Sequence, residues 1–232
     1  SDLFYSFCSK IVLKGEYKPV FCEDKDFKGK KRIGIMGGSF DPVHNGHVQT
    51  MEKAIETYQL DMGIFLPTAD KEIHSEKMKL NGDLRCKMLD ISLPHNFPMY
   101  VSRYEVDYQG STIPYTARTI EYFRHCCNEK EVAIYFIAGL DIIYHLSRWK
   151  DFDKLKTMCE FIFVRRNVND SEQIKDKLVY LKQSGLHYTI GKWESLPISS
   201  TEVRNVIRNH GDLSYLIPYP VEQFIRKHNL YR

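Results

Sequence analysis

Short, nearly unbroken apolar runs alternate along the chain with longer stretches in which apolar residues recur every three or four positions. RIGIMG (Arg32–Gly37), MGIFLP (Met62–Pro67), MYVSRYEV (Met99–Val106), VAIYFIAG (Val132–Gly139) and FIFVRR (Phe161–Arg166) have the length and content of strands, and HYTIG (His187–Gly191) is a weaker sixth. Between them the longer period predicts helices over His47–Tyr58, Asp83–Leu93, Thr116–Cys126, Asp141–His145, Ser171–Gln183, Ser199–Asn209 and Val221–His228. This alternation implies an α/β fold with a doubly wound, mostly parallel sheet and a C-terminal helical part. No repeat, low-complexity tract or linker divides residues 29–232, which read as a single domain. Residues 1–28 form an N-terminal extension, and Phe4, Phe7, Ile11, Val12 and Phe21 predict that it packs.

Composition narrows the function more than the fold. A net charge of +3 over 232 residues lacks the concentrated basic face that nucleic-acid binding requires, and the Lys28–Arg32 run reads as a solvated approach to the first strand. The six cysteines form no C-x-x-C pair, so reduced thiols in a cytoplasmic or nuclear compartment are expected. No segment approaches the roughly 18 apolar residues of a membrane span, and residues 1–28 show no secretory apolar core.

Chemistry concentrates where the first predicted strand ends, in GIMGGSFDPVHNGH (Gly34–His47). In a parallel sheet the ligand crevice lies beyond the carboxyl ends of the strands. Gly37 and Gly38 would let a bulky anion approach the main-chain N–H groups, and a helix starting near Asn45 would add its first-turn amides. His44 and His47 have the spacing to face one ligand, with Gly46 leaving the gap between them open. The set suits a polyphosphate. A metal reading of H-x-x-H lacks the glutamate of H-E-x-x-H, the G-x-G-x-x-G spacing is absent, and there is no P-loop G-K-[ST]. Two ordinary structural histidines at a turn remain the plain alternative.

A second segment, ISSTEVR (Ile198–Arg204), opens a later helix. Ser199 and Glu202 have capping-box spacing, so a well-capped helix is one reading. The other is a phosphate site, with hydroxyls and amides at the helix start and Arg204 as a clamp.

GGSFDPVHNGH resembles the signature of the H-x-G-H nucleotidyltransferase superfamily, and in this form it is most similar to bacterial-type nicotinate (nicotinamide) mononucleotide adenylyltransferases. I-S-S-T-x-x-R resembles their second hallmark. IPYTARTIEYF (Ile113–Phe123), AGLDIIYHLSRW (Ala138–Trp149) and the closing GDLSYLIPYPVEQFIRKHNLY extend the likeness from about Arg32 to Tyr231. The resemblance implies a Rossmann-like nucleotidyltransferase fold. It also implies adenylyl transfer from ATP to nicotinate mononucleotide, giving nicotinate adenine dinucleotide and pyrophosphate in NAD biosynthesis, with nicotinamide mononucleotide as a second acceptor. His44, His47 and Arg204 would be catalytic. Gly37, Gly38, Ser39, Phe40, Gly139, Asp141, Ile198, Ser199 and Ser200 would join them around ATP, with Asp141 on ribose hydroxyls. Ser39, Tyr115, Thr116 and Trp149 would hold the mononucleotide, the tryptophan presenting its π-face to the pyridinium. Taken alone, Trp149 would serve equally as a core aromatic, and Thr116 and Asp141 as helix caps. Mg²⁺ is expected to arrive on ATP, with no all-protein metal site and with a homo-oligomer compatible with the pattern.

The chain also departs from the family. Its loop after the second strand, LPTADKEIHSEK, keeps His74 but has Ser75 where a basic residue is usual, with Lys71 or Lys77 as candidate substitutes. Arg118 replaces the usual acid in Y-T-x-x-T. Phosphopantetheine adenylyltransferases share both motifs in altered form and are an alternative, as is a non-catalytic nucleotide sensor.

Overall fold

The structure is a computed structural model and describes residues 22–70, 79–110, 114–127, 131–165 and 171–232. The 71–78 segment with His74 and Ser75, residues 1–21 of the extension, Ile113 and Arg166 lie outside the described residues.

Six parallel strands form one sheet: β1 (Arg32–Gly38), β2 (Met62–Pro67), β3 (Met99–Val101), β4 (Ala133–Gly139), β5 (Glu160–Arg165) and β6 (Tyr188–Glu194). Their order is β3-β2-β1-β4-β5-β6. The chain winds outward from β1 through β2 to β3, then returns to the other side of β1 for β4. That reversal opens a crevice at the carboxyl ends of β1 and β4, where such sheets bind ligands.

Helices cover both faces. Helices α1 (Asn45–Tyr58), α2 (Gly82–Ser92), α6 (Ser200–Arg208) and α7 (Tyr219–Lys227) bury Met51, Ile55, Met88, Leu89, Val203, Ile207, Val221 and Phe224 in one core. On the other face α3 (Thr116–Cys126), α4 (Phe152–Met158) and α5 (Ser171–Ser184) bury Ile120, Phe123, Leu155 and Leu181. Strands β1, β2, β4 and β5 are buried on both sides, which explains their nearly continuous apolar sequence. Part of the extension joins the second core: Phe27 packs on Phe123 with ring centroids 5.5 Å apart, and the Cys22 N–H donates to Val101 O at 3.0 Å.

Several boundaries differ from the sequence expectation, each for a local reason. The third strand stops at Val101 because Ser102 Oγ accepts the Tyr104 N–H, while Arg103 turns to bond both Asp83 and Asp107. The stretch expected as a short helix at Asp141–His145 is a 3-10 helix, Leu140–Arg148. Its buried residues Leu140, Ile143 and Leu146 recur every third position, the period at which a 3-10 helix stacks its side chains. Helix α4 was not expected: it is short, and Leu155 is its buried anchor. The edge strand β6 runs on to Glu194, beyond the expected end at Gly191.

Candidate active site

A cavity of about 660 Å³ occupies the crevice between β1 and β4. That volume falls in the range of small-molecule sites. The residues expected around ATP and at the ring end of the mononucleotide, from Gly37 to Arg204, all line it.

The floor comes from β1 and the start of α1. Phe40 sits at φ 49°, a left-handed conformation that costs a non-glycine residue about 1 kcal/mol or more. Its ring folds back over Gly38, where a Cβ would lie 3.2 Å from Phe40 Cζ, and packs edge-on to both Phe65 and His47. His44, not Asn45, caps α1. The His44 N–H donates to His47 Nδ1 at 3.2 Å, and the two imidazoles stack with centroids 3.5 Å apart. A ring nitrogen that accepts an N–H carries no proton, so neutral His47 bears its hydrogen on Nε2 as a donor. Gly46 leaves the space beneath this stack tight: a Cβ there would stand 3.1 Å from His44 Nδ1 and 3.2 Å from Leu196 O.

The amides of this first turn are less available than the sequence suggested. The Asn45 N–H donates to Leu216 O at 2.9 Å and the His47 N–H to His44 O at 3.0 Å. What the floor could offer an anion is therefore mainly the imidazoles and the glycine strand end.

The second motif meets the first directly. Ser199 caps α6 by accepting the Glu202 N–H at 3.1 Å. Ser200 Oγ donates to Pro42 O at 2.8 Å, and buried Arg204 donates to Asp41 O at 2.7 Å and to Thr201 Oγ1 at 3.1 Å. Two segments some 160 positions apart in sequence thus share one wall. Arg204 faces the cavity with part of its donor fork already engaged, which differs from the bidentate phosphate clamp expected from the sequence. The Ser200 hydroxyl proton is likewise directed at protein, so what this residue offers an anion is its helix-start amide.

Two residues that sequence reasoning did not select organise this wall. The buried Asp41 carboxylate accepts the N–H groups of Lys79 and Leu80 and the hydroxyl of Tyr231. Burial, then the charge of Asp41, pushes the Tyr231 phenol well above its ordinary value, so it stays a hydroxyl donor. Arg85, fully buried, donates through Nη1 to Ser39 O (2.7 Å), through Nη2 to Thr68 O (2.6 Å) and Asp70 Oδ1 (2.8 Å), and through Nε to Leu80 O (3.0 Å). One guanidinium therefore ties the loops after β1 and β2 together. Asp41 stood in plain sight inside the GGSFDP string, whereas an arginine inside an amphipathic helix carries no sequence signal of burial.

Across the cavity, Gly139 ends β4, Asp141 lies at the start of the 3-10 helix, and Trp149 caps that helix with its ring edge-on to Phe136 at 5.8 Å. Tyr115, rather than Thr116, caps α3. The Tyr115 phenol is raised above its ordinary value, first by its hydrogen bond to Asp151. Lys150 Nζ lies 4.6 Å from the centroid of the Tyr115 ring. Glu105 also lines this wall: Thr119 Oγ1 donates to its Oε1 at 2.9 Å, and burial pushes its carboxyl up to about 7. Among the described residues no group of three or more His, Cys, Asp or Glu side chains is placed to hold a metal ion, and no helix is long and apolar enough to cross a membrane.

The described cysteines are free thiols, and burial raises Cys22, Cys86 and Cys159 to about 12 and Cys127 to about 11, away from reactivity.

Residues 35–206 match the cytidylyltransferase-like family. A Clostridium novyi protein named "probable nicotinate-nucleotide adenylyltransferase" is 32% identical over 87% of this chain and all of its own length. A protein of the same name from Moorella thermoacetica is 35% identical over 87% of this chain and 92% of its own. Among solved structures, Plasmodium falciparum nicotinic acid mononucleotide adenylyltransferase complexed with NaAD superposes with a TM-score of 0.65 at 21% identity, covering 87% of this chain and 97% of the other. With the nucleotide-loop and second-motif residues meeting at one cavity and the likeness spanning nearly the whole chain, the chain belongs to the cytidylyltransferase-like family and, within it, to the nicotinate-nucleotide adenylyltransferases.

Proposed function

We propose that the chain transfers the adenylyl group of ATP to nicotinate mononucleotide, releasing pyrophosphate and forming nicotinate adenine dinucleotide for NAD synthesis, and that residues 29–232 act as one catalytic domain. The observation that carries this reading is the direct bonding of Ser200 and Arg204 to the Asp41–Pro42 backbone, beside the stacked His44 and His47, at the rim of one cavity.

The nucleophile is the 5′-phosphate of the mononucleotide, largely dianionic at neutral pH because its second pKa is about 6. It needs no general base. A phosphate oxygen forms a bond to the α-phosphorus of ATP as the bond to the β-bridging oxygen breaks, and the electron pair leaves with pyrophosphate. The obstacle is charge, so catalysis consists of positioning and electrostatic stabilisation. His47 donates through Nε2–H to the α-phosphate as negative charge develops, with His44 stacked beside it. Arg204 and the amide at the start of α6 face the β- and γ-phosphates and the departing pyrophosphate. Gly37, Gly38, Ser39 and Phe40 form the floor beneath ATP, and Gly139, Asp141, Ile198 and Ser199 complete its walls. Ser39, Tyr115, Thr116 and Trp149 receive the mononucleotide.

The donors around the triphosphate are imidazole, guanidinium, hydroxyl and amide groups, which match phosphate oxygens rather than a hard cation. Magnesium is accordingly part of the substrate, Mg–ATP. This chemistry uses no nucleic acid or membrane, and cytoplasm is the compartment that suits an ATP-consuming protein with reduced buried thiols.

The test is a coupled pyrophosphate assay of the purified chain with Mg–ATP and, in parallel, nicotinate mononucleotide, nicotinamide mononucleotide and phosphopantetheine. Pyrophosphate release dependent on a pyridine mononucleotide is expected. Release with phosphopantetheine alone would replace the reading with that of the related adenylyltransferase, and no release with any acceptor would replace it with a nucleotide sensor.

A further inference from the structure

Beyond α7 the chain folds back on itself. The Leu230 N–H donates to Ile225 O at 3.1 Å, and the backbone turns through two left-handed positions, Asn229 at φ 51° and Tyr231 at φ 65°. Asparagine tolerates that region, but for tyrosine it is a strained conformation. The turn delivers the Tyr231 hydroxyl to Asp41 Oδ1, 190 positions earlier in the chain. The phenol sits close enough to Arg204 and Arg85 for both charges to bear on it. Asp41 is fully buried. Its other carboxylate oxygen accepts the Lys79 and Leu80 N–H groups, and its carbonyl accepts Arg204. On either side Arg85 holds Ser39 O and Ser200 holds Pro42 O. Among the described residues that line the cavity, neither Asp41 nor Tyr231 occurs, whereas Phe40, His44, Ser200 and Arg204 do.

We propose that Tyr231 is a positioning residue for the transfer step. By holding the Asp41 carboxylate from outside the cavity, its hydroxyl fixes the Asp41–Pro42 backbone against which Arg204 and the start of α6 are set opposite His44 and His47. The inference rests on the reading above, in which those groups stabilise the departing pyrophosphate. Without the hydroxyl, the buried carboxylate keeps only the Lys79 and Leu80 amides and settles toward them. The Asp41 carbonyl moves with it, and Arg204, bonded to that carbonyl, moves too. A small displacement of this kind weakens contacts that are strongest while charge is developing, and leaves the walls that bind both substrates in place. The loss therefore falls on kcat, about tenfold, and is the same for every acceptor.

The experiment measures kcat and both KM values for Mg–ATP and nicotinate mononucleotide in wild type, Tyr231→Phe, Asp41→Asn and the double variant, with Arg232→Ala as the control at the exposed last residue. Melting midpoints taken alongside correct kcat for any unfolded fraction. Tyr231→Phe is expected to lower kcat about tenfold with both KM values within about twofold of wild type, and Arg232→Ala to match wild type. Because the hydroxyl acts through the carboxylate, adding Tyr231→Phe to Asp41→Asn should cost less than about a further twofold in kcat. An unchanged kcat in Tyr231→Phe, a loss seen in KM instead, or a loss that the unfolded fraction accounts for overturns the inference. So does a full tenfold loss on top of Asp41→Asn, which would make the two residues independent. If Asp41→Asn does not fold, the division between kcat and KM in Tyr231→Phe decides alone. A wild type that turns over no pyridine mononucleotide defeats the adenylyltransferase reading and the inference with it, whereas wild-type turnover with an unaffected Tyr231→Phe defeats the inference only.

Discussion

Replacing Glu105 with glutamine should make the protein more stable than wild type, and by an amount that grows with pH. The carboxyl is 8% exposed and accepts one hydrogen bond, from Thr119 Oγ1 at 2.9 Å. Burial, only partly offset by that bond, raises its pKa from 4.5 to about 7. The folded state therefore holds a proton that the unfolded chain releases, so stability is greatest below pH 4.5 and falls as pH rises toward 7. A rise of about 2.5 units at about 1.4 kcal/mol per unit puts the full penalty at roughly 3 kcal/mol above pH 7. Glutamine keeps an acceptor for Thr119 and cannot ionise. Thermal melts of both proteins at pH 5, 6, 7 and 8 should show the variant only about 2–3 °C higher at pH 5. By pH 8 the variant should melt roughly 6–12 °C higher, at 2–4 °C per kcal/mol for a chain of this size. A difference that stays flat across that range, or one that favours wild type at pH 8, would refute the argument that this carboxyl is folded in its neutral form.

Other outcomes follow from the site's geometry. His47→Ala should lower kcat by roughly 10²–10³-fold, the usual loss for one donor aimed at developing charge, and steady-state turnover with a loss under about fivefold would reject that role. Trp149→Ala should raise KM for the mononucleotide by about tenfold while leaving KM for ATP nearly unchanged, and equal weakening of both would make the ring a structural prop. Gly46→Ala places a methyl 3.1 Å from His44 Nδ1 and 3.2 Å from Leu196 O, so both kcat and the melting midpoint should drop, with a stability cost of about 1–3 kcal/mol. An unaltered kcat in that variant would show that the imidazole stack does not depend on the bare backbone beneath it.

The buried strands and longer helices were legible in the chain because their apolar periods are long and unmixed, as in VAIYFIAG or in Met51, Ala54 and Ile55 of α1. Where the structure departs, a local bond or a different period overrode the pattern. Ser102 and Arg103 ended β3 through side-chain bonds that apolar spacing does not encode, and Leu140, Ile143 and Leu146 carried a three-residue period that a four-residue template misread. The candidate site was legible as two strings, because glycines, histidines and helix-cap serines have few other reasons to cluster. Its supports were not. Arg85 and Asp41 act through partners that lie far away in sequence, and a single letter does not announce the carbonyls and amides it will meet. Ser200 shows the complementary limit: its letter was read as a phosphate ligand, while its hydroxyl donates to Pro42 O.

The bonds that brace the nucleotide loop reach across the chain, from Asp41 to Arg204 over 163 positions and to Tyr231 over 190. During synthesis on the ribosome the histidine-bearing loop emerges well before the guanidinium and the phenol that lock it. A nascent or prematurely terminated product thus carries the recognisable loop without its lock. The loop that carries the chemistry therefore waits, half-supported, for partners made long after it.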